Sequence, residues 1–430
     1  MRGLARRWPA VIAAVVALGG AGPERADAGE LVTWSLHSKR VDPATAKLGV
    51  SAARRDGYPK IPRDALRVNV LLPDGYDPTQ RYPVLYLLHG DGWGYDFWAD
   101  PEGGDLLDVA AGLPAVVVMP EGGRGWYTNW WNEGARKNPA WERFHLGRLI
   151  RTVHRRLAIR RGRRWHAIAG FSMGGLGAVD YAAARPGYFG SVASLSGILS
   201  IQRPESPPAF DGLSASLSGS IDGPGAQPET HQDVWGDPAD QEFYWSAHNP
   251  VALVENLRAT RVLVTSGDGT PYSPDDLLSA SYGTPVVALI ESTIRSYADE
   301  FAEAADAAGV RQLTVNRRAG LHTNFAAGLG LSEAISWRLF RAVPKSPRQW
   351  SYETAARSGQ AWNLRFRFAR PPEELITFTR HGHILAAEGS GDVVMKTPRC
   401  KKRSSLPLRL NLGTCRVGIR REAPKSRRTR

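Results

Sequence analysis

Several short runs of this chain are apolar at nearly every position, and glycine closes most of them. Residues 82–88 read Tyr-Pro-Val-Leu-Tyr-Leu-Leu and stop at His89-Gly90-Asp91-Gly92-Trp93. Residues 115–119 (Ala-Val-Val-Val-Met) run into Gly122-Gly123, and residues 261–266 (Arg-Val-Leu-Val-Thr-Ser) into Gly267-Asp268-Gly269. Runs of this length without alternation predict strands buried on both faces. Residues 66–72 alternate first and then turn apolar, predicting another strand. Further strands are expected just before Ser172, over 189–196 and over 310–315.

Between the strands the period changes. Residues 141–157 place Phe144, Leu149, Val153 and Leu157 on one helical face. Ala- and Glu-rich residues 291–308 predict a long helix stopped by Gly309, and residues 332–343 a closing helix. Strands alternating with helices predict an α/β fold with a mainly parallel sheet. Residues 30–60 show no strong periodicity. Residues 202–230 are rich in Pro, Gly and Ser and read as a poorly ordered loop or lid. From about Pro344 the pattern switches to strict alternation, as in Trp362-Asn-Leu-Arg-Phe-Arg-Phe368. Residues 346–420 therefore read as a small antiparallel β domain after a catalytic-size domain over 29–345, with 421–430 as a basic tail.

Charge changes the picture less than its size suggests. The chain of 430 residues carries a net +13. From Arg399 onward there are twelve Lys or Arg against one acid, Glu422, so +11 sits in the last 32 residues. The body is nearly neutral, which argues against nucleic acid as its partner. The tail is suited either to solvent or to an anionic cell-envelope surface. Arg2, Arg6 and Arg7, an apolar run over 11–20 and Ala26-Asp-Ala28 predict a signal peptide over 1–28. The mature protein is then expected to be secreted or envelope-associated. Cys400 and Cys415, the only cysteines, are expected to pair in an exported chain and to contribute roughly 3 kcal/mol. No Cys/His cluster has zinc spacing, and no metal or cofactor is expected.

The candidate chemistry centres on residues 165–180. A short apolar strand leads into Gly170-Phe-Ser172-Met-Gly174, and a small-residue helix follows. This fits the G-x-S-x-G nucleophile elbow, in which a sharp strand-to-helix turn lifts the serine hydroxyl above the sheet. The glycines two residues away on each side are needed because strand and helix pass close together. A serine hydroxyl needs a histidine to take its proton and a carboxylate to orient that histidine. In α/β-hydrolase folds the order along the chain is serine, acid, histidine. After Ser172 the α/β region offers only His231, His248 and His322. His322 follows the last predicted strand, where the base belongs. The acid is open between Asp268, Asp275, Asp276 and Glu291, and position alone favours an Asp near the strand end. His145 and His154 are read as packing or surface residues. The Gly-rich turn at Gly90-Asp91 is the expected place for half of an oxyanion hole, with the N–H of Met173 as the other half. The aromatic loop Trp126–Trp131 reads either as a pocket wall or as packing, and Trp93, Trp126 and Trp130 are the candidate substrate contacts.

The chain resembles the esterase D-type α/β-hydrolases, and more narrowly the secreted mycolyltransferases and related esterases. The resemblance covers about residues 60–343. It rests on Leu87-Leu-His-Gly-Asp91, Gly125-Trp-Tyr-Thr-Asn-Trp130, Trp141-Glu-Arg-Phe144, Gly170-Phe-Ser-Met-Gly-Gly175 and Gly267-Asp-Gly-Thr-Pro271. In the mycolyltransferases the acid is a glutamate on the helix after that last turn, with the histidine in G-x-H about thirty residues on. Glu291 and Gly320-Leu-His322 match, which implies Glu291 as the acid ahead of Asp268. The first turn, the elbow and Thr323-Asn324 after the histidine depart from the mycolyltransferase pattern. The expected activity is accordingly a secreted serine carboxylic-ester hydrolase acting on a small-molecule or lipid ester. Acyl transfer to a sugar hydroxyl and a catalytically inactive envelope-binding protein are the alternatives.

Overall fold

The computed structural model describes residues 29–42, 65–131, 139–221 and 228–418. The expected signal peptide and basic tail lie outside them. An eight-stranded sheet forms the centre: β1 (Leu31–Leu36), β2 (Leu66–Leu71), β3 (Val84–Leu88), β4 (Val116–Pro120), β5 (His166–Phe171), β6 (Ser191–Leu195), β7 (Arg261–Ser266) and β8 (Leu313–Arg317). Their spatial order is β1-β2-β4-β3-β5-β6-β7-β8. The pairs β1/β2 and β2/β4 are antiparallel, and every pair from β4 to β8 is parallel.

The unbroken apolar runs are explained by two cores. Val84, Tyr86 and Leu88 point into one, while Leu85 and Leu87 point into the other. The first core packs against α4 (Met173–Ala184), α9 (Thr284–Ala307) and a helix wound as α2 (Trp141–Arg143), a π-helical stretch (Phe144–Leu149) and α3 (Ile150–Arg156). The second packs against α1 (Leu106–Val109) and α10 (Asn324–Ser336). Helices therefore cover both faces, as a parallel sheet requires. The connection between β6 and β7 carries α5 (Ser206–Ile221), α6 (His231–Val234) and α7 (Glu242–Ser246), and α8 (Pro274–Leu278) follows β7.

Nine more strands make a β-sandwich: β9 (Gln349–Thr354), β10 (Ser358–Ala361), β11 (Leu364–Phe368), β12 (Ile376–His381), β13 (Ile384–Glu388), β14 (Asp392–Lys396), β15 (Lys401–Ser405), β16 (Leu408–Asn411) and β17 (Arg416–Gly418). They form two sheets, β10-β11-β14-β15 and β17-β16-β13-β12-β9, around a third core that includes Phe366, Phe368, Phe378 and Met395. Cys400 and Cys415 form a disulfide. Arg163 fastens the sandwich to the α/β body. Its buried guanidinium donates to the carbonyls of Pro186, Phe189, Ala259 and Pro344 and lies over the ring of Trp362. Burial lowers its pKa only to about 10, so it remains a cation at neutral pH.

Four sequence expectations need correction. The expected loose lid over 202–230 contains the sixteen-residue helix α5. Pro207 and Pro208 fall in its first turn, where a missing N–H costs nothing, so proline there does not break a helix. The unpatterned lead-in contains β1, an edge strand held by β2. Helix α9 starts at Thr284 rather than near Glu291, which moves Glu291 from a helix end to its buried interior. Helix α10 starts at Asn324, capped by the Thr323 side chain, and ends at Ser336.

Candidate active site

Ser172 stands on the turn between β5 and α4 with φ 55° and ψ −121°, a conformation that side-chain-bearing residues rarely adopt. The turn is tight enough to exclude side chains beside it. A Cβ on Gly170 would lie 2.2 Å from the carbonyl oxygen of Gly174, and one on Gly174 would lie 2.4 Å from that of Leu88. Strain of this kind persists only where the surroundings hold it. Here the N–H of Ser172 is tied to Leu195 O on β6, and the carbonyl of Ser172 accepts from Gly175 and Leu176.

The structure brings three distant side chains together. His322 Nε2 lies 2.9 Å from Ser172 Oγ, and His322 Nδ1 lies 2.7 Å from Glu291 Oε2. A carboxylate only accepts, so Nδ1 carries the proton and Nε2 is free to receive one. The imidazole stacks on Phe171, with ring centroids 4.7 Å apart. Glu291 is fully buried, and its second oxygen, Oε1, accepts from Ser196 Oγ at 2.7 Å and from the N–H of Gly267 at 2.6 Å. Asp268 is not part of this group. Its carboxylate is exposed and accepts from the N–H and hydroxyl of Thr270.

Asp276 takes a different role from the one its position offered. It is buried and accepts from the N–H groups of Tyr272 and Leu321 and from Thr323 Oγ1. It thus grips both neighbours of His322, while the His322 N–H donates to Val287 O on α9. Nothing in sequence spacing marks Ser196 or Asp276, because each acts through a contact between distant elements.

The first glycine turn lies against the serine. A Cβ on Gly90 would stand 3.4 Å from Ser172 Cβ. Buried His89 braces this turn: Nδ1 donates to Gly90 O at 2.8 Å and Nε2 accepts from Gly122 N–H at 2.9 Å. Burial lowers its pKa to about 4, so it is neutral at pH 7. The Asp91 side chain is turned toward Arg124, at 3.4 Å, which in turn lies 2.8 Å from Glu229. Burial pushes the Asp91 carboxyl up to about 6, and Arg124 pulls in the opposite direction. Arg124 also donates to Ser214 O, linking the turn to α5. Met173 is the first residue of α4, so its N–H has no acceptor within the helix.

The aromatic loop is mostly packing. Trp126 is 2% exposed and sits between Phe210 and Trp235, while Trp130 is 5% exposed and donates Nε1–H to Gly125 O. Both rings are buried among other side chains, which favours the packing reading of the loop over that of a pocket wall. Trp93 is half-buried against Phe97. His145 is a core histidine, bonded to Tyr181 and Glu121 O, and His154 is bonded to Tyr188. Among the described residues, no group of three or more His, Cys, Asp or Glu is placed to hold a metal, and no helix is long and apolar enough to cross a membrane.

The model of the Esterase family matches residues 60–305. An esterase of Mycobacterium tuberculosis is 38% identical over 215 residues, covering 48% of this chain and 43% of that protein. The chain thus spans less than half the length of that curated relative. A diacylglycerol acyltransferase/mycolyltransferase of Mycobacterium leprae is 27% identical over 319 residues, covering 69% and 89%. Among solved structures, a fluorophosphonate-binding serine hydrolase of Staphylococcus aureus aligns with TM-score 0.51 at 15% identity, covering 73% of this chain and 100% of that one. The MPT51 structure of Mycobacterium tuberculosis aligns with TM-score 0.50 at 22% identity, covering 64% and 93%. At these identities the two structures speak for the α/β-hydrolase fold.

Proposed function

The chain belongs to the Esterase family, and on that premise we propose that it is a secreted hydrolase of carboxylic esters working through an acyl-enzyme on Ser172. The observation that carries this reading is the unbroken line of contacts from Ser172 Oγ through His322 to Glu291. Ser172 attacks the ester carbonyl while His322 Nε2 takes the hydroxyl proton. The N–H groups of Asp91 and Met173 hold the oxyanion, each donor being worth about 3 kcal/mol of barrier. The intermediate collapses, the alcohol leaves with the proton from Nε2, and the acyl group stays on Ser172. Water then attacks the acyl-enzyme by the same proton path. Glu291 keeps the imidazole in the tautomer this path requires and stabilises it once protonated.

The surroundings favour an apolar acyl group. Tyr272, Leu277, Leu278, Tyr282, Val286 and Leu289 are exposed on α8, α9 and the turns beside them. Val287 in that stretch accepts from the His322 N–H, so the start of α9 runs beside the proposed base. Lone exposed apolar residues need no explanation, whereas a group of six beside a candidate site does. Transfer of the acyl group to a sugar hydroxyl is the second reading, favoured by the mycolyltransferase relative.

Hydrolysis of p-nitrophenyl esters from acetyl to dodecanoyl, with wild type and Ser172→Ala, tests the reading. We expect a rate that rises with acyl length and falls at least 1000-fold in the variant. Equal rates for the two proteins would remove the enzyme assignment. Acylated sugar among the products, when a disaccharide is added, would shift it to transfer.

A further inference from the structure

The two sheets of the C-terminal sandwich differ sharply in charge on their outward faces. On β11 the burial alternates, with Leu364, Phe366 and Phe368 inward and Arg365 and Arg367 outward. The register places Lys396 of β14 opposite Arg365, and Lys401 of β15 opposite Lys396. In the next row Val394 stands opposite Arg367, and Arg403 opposite Val394. Five exposed cations therefore share one face of three adjacent strands. Neighbouring strands are about 4.8 Å apart and alternate residues about 6.8 Å apart, so the five stand on a grid of about 10 by 7 Å. None of the five side chains has an ion pair or hydrogen bond among the described residues. The one acid on this face, Asp392, sits at its edge and is bonded to Ser405.

The second sheet is the internal comparison. Its outward face carries two acids, Glu353 and Glu388, against Arg409 and Arg416, with His381, Ile384 and Asn411 among Gln, Ser, Thr and Ala. A solvated face needs only that kind of mixture. Like charges directly across a strand pair destabilise it, and the first sheet has two such pairs in one row, Arg365/Lys396 and Lys396/Lys401. Stability does not account for the arrangement.

We propose that the outer face of the β10-β11-β14-β15 sheet binds a linear anionic polysaccharide, independently of the ester site. Charge complementarity selects a polyanion whose groups repeat every 5–7 Å. The outward positions bear no aromatic ring on which a base could stack, which disfavours single-stranded nucleic acid. They offer no large apolar side chain to enter a bilayer, since Val394 is half-buried. Gln360, Ser358 and Ser405 flank the cations and suit sugar hydroxyls. The disulfide at Cys400 anchors the start of β15, so Lys401 and Arg403 are held in place without a ligand.

The test uses the full chain and dextran sulfate as probe, at 150 mM NaCl. One variant carries Arg365→Ser, Arg367→Ser, Lys396→Ser, Lys401→Ser and Arg403→Ser. A second removes the same number of charges from the tail: Arg420→Ser, Arg421→Ser, Lys425→Ser, Arg427→Ser and Arg428→Ser. We expect the face variant to bind about 100-fold more weakly with a shallower salt dependence, and the tail variant to change less than about 3-fold. Because the face variant relieves repulsion, its Tm should not fall. A conservative variant with Arg365→Lys, Arg367→Lys and Arg403→Lys should keep most of the affinity. Equal losses in the face and tail variants would overturn the proposal. So would tighter binding of wild type to oligo(dT) or to phosphatidylglycerol vesicles than to dextran sulfate.

Discussion

Ser196 donates its hydroxyl hydrogen to Glu291 Oε1 at 2.7 Å, on the side of the carboxylate turned away from His322. With the Gly267 N–H, it fixes the carboxylate plane so that Oε2 alone faces the imidazole. A buried hydrogen bond to a charged group is worth about 1.5–3 kcal/mol. Ser196→Ala should therefore lower kcat on a short p-nitrophenyl ester by about 10-fold. KM should barely move, because Ser196 acts through Glu291 rather than on substrate. A fall in affinity with kcat intact would place Ser196 in substrate binding instead.

Asp276 should matter for stability and activity together. Removing its carboxylate in Asp276→Ala leaves three donors without their acceptor, the buried ones on Leu321 and Thr323 and a half-buried one on Tyr272. The expected loss is roughly 3 kcal/mol of unfolding free energy by urea titration. Because two of those donors flank His322, kcat should fall as well. Asp268→Ala removes an exposed carboxylate that is bonded to Thr270 and not to the His322 group, and should leave both quantities nearly unchanged.

The elbow glycine at 170 is a steric requirement. In Gly170→Ala the new methyl group would meet the backbone oxygen of Gly174 at 2.2 Å, and backbone cannot rotate away as a side chain can. We expect a loss of about 1–3 kcal/mol in stability and a displaced Ser172 with little residual turnover. A fully active, stable variant would show that the turn is looser than its contacts imply.

How much of this was legible beforehand follows from the range of each interaction. The runs that became β3, β4, β5 and β7 were readable because both faces of each strand are buried, which writes an apolar letter at almost every position. The serine turn was readable because its glycines are forced by contacts a few residues away in sequence. Helix α5 was not, since prolines that signal a break in a helix interior are harmless in its first turn. Strand β1 exists only because β2 offers it an edge. The roles of Ser196 and Asp276 depend on partners 95 and about 45 residues away, and no local pattern encodes such a distance.

Acid sensitivity follows from the buried histidines. Burial lowers His89 and His166 to about 4 and His145 to about 3, against about 6.5 in an unfolded chain. Between those values the unfolded state binds the extra protons. Their contribution is therefore fully present above about pH 6.5 and is lost as pH falls toward 4. Asp91, raised to about 6 by burial, works the other way over pH 4–6, because there the folded state holds the proton. Asp180 and Glu353, also raised by burial, oppose the histidines as Asp91 does. Replacing one buried histidine, as in His166→Gln, should therefore flatten the rise of stability with pH by about one proton, roughly 1.4 kcal/mol per pH unit between about pH 4.5 and 6. Urea unfolding of both proteins across that range checks it, and an unchanged slope would contradict it.

The central claim is that the hydroxyl at 172 is the nucleophile, activated by His322. Incubation with a fluorophosphonate, followed by intact mass and peptide mapping, tests it most directly. One adduct per chain, located on Ser172, absent from Ser172→Ala and strongly slowed in His322→Ala, is the predicted result. An adduct elsewhere, or an undiminished one in Ser172→Ala, would contradict it.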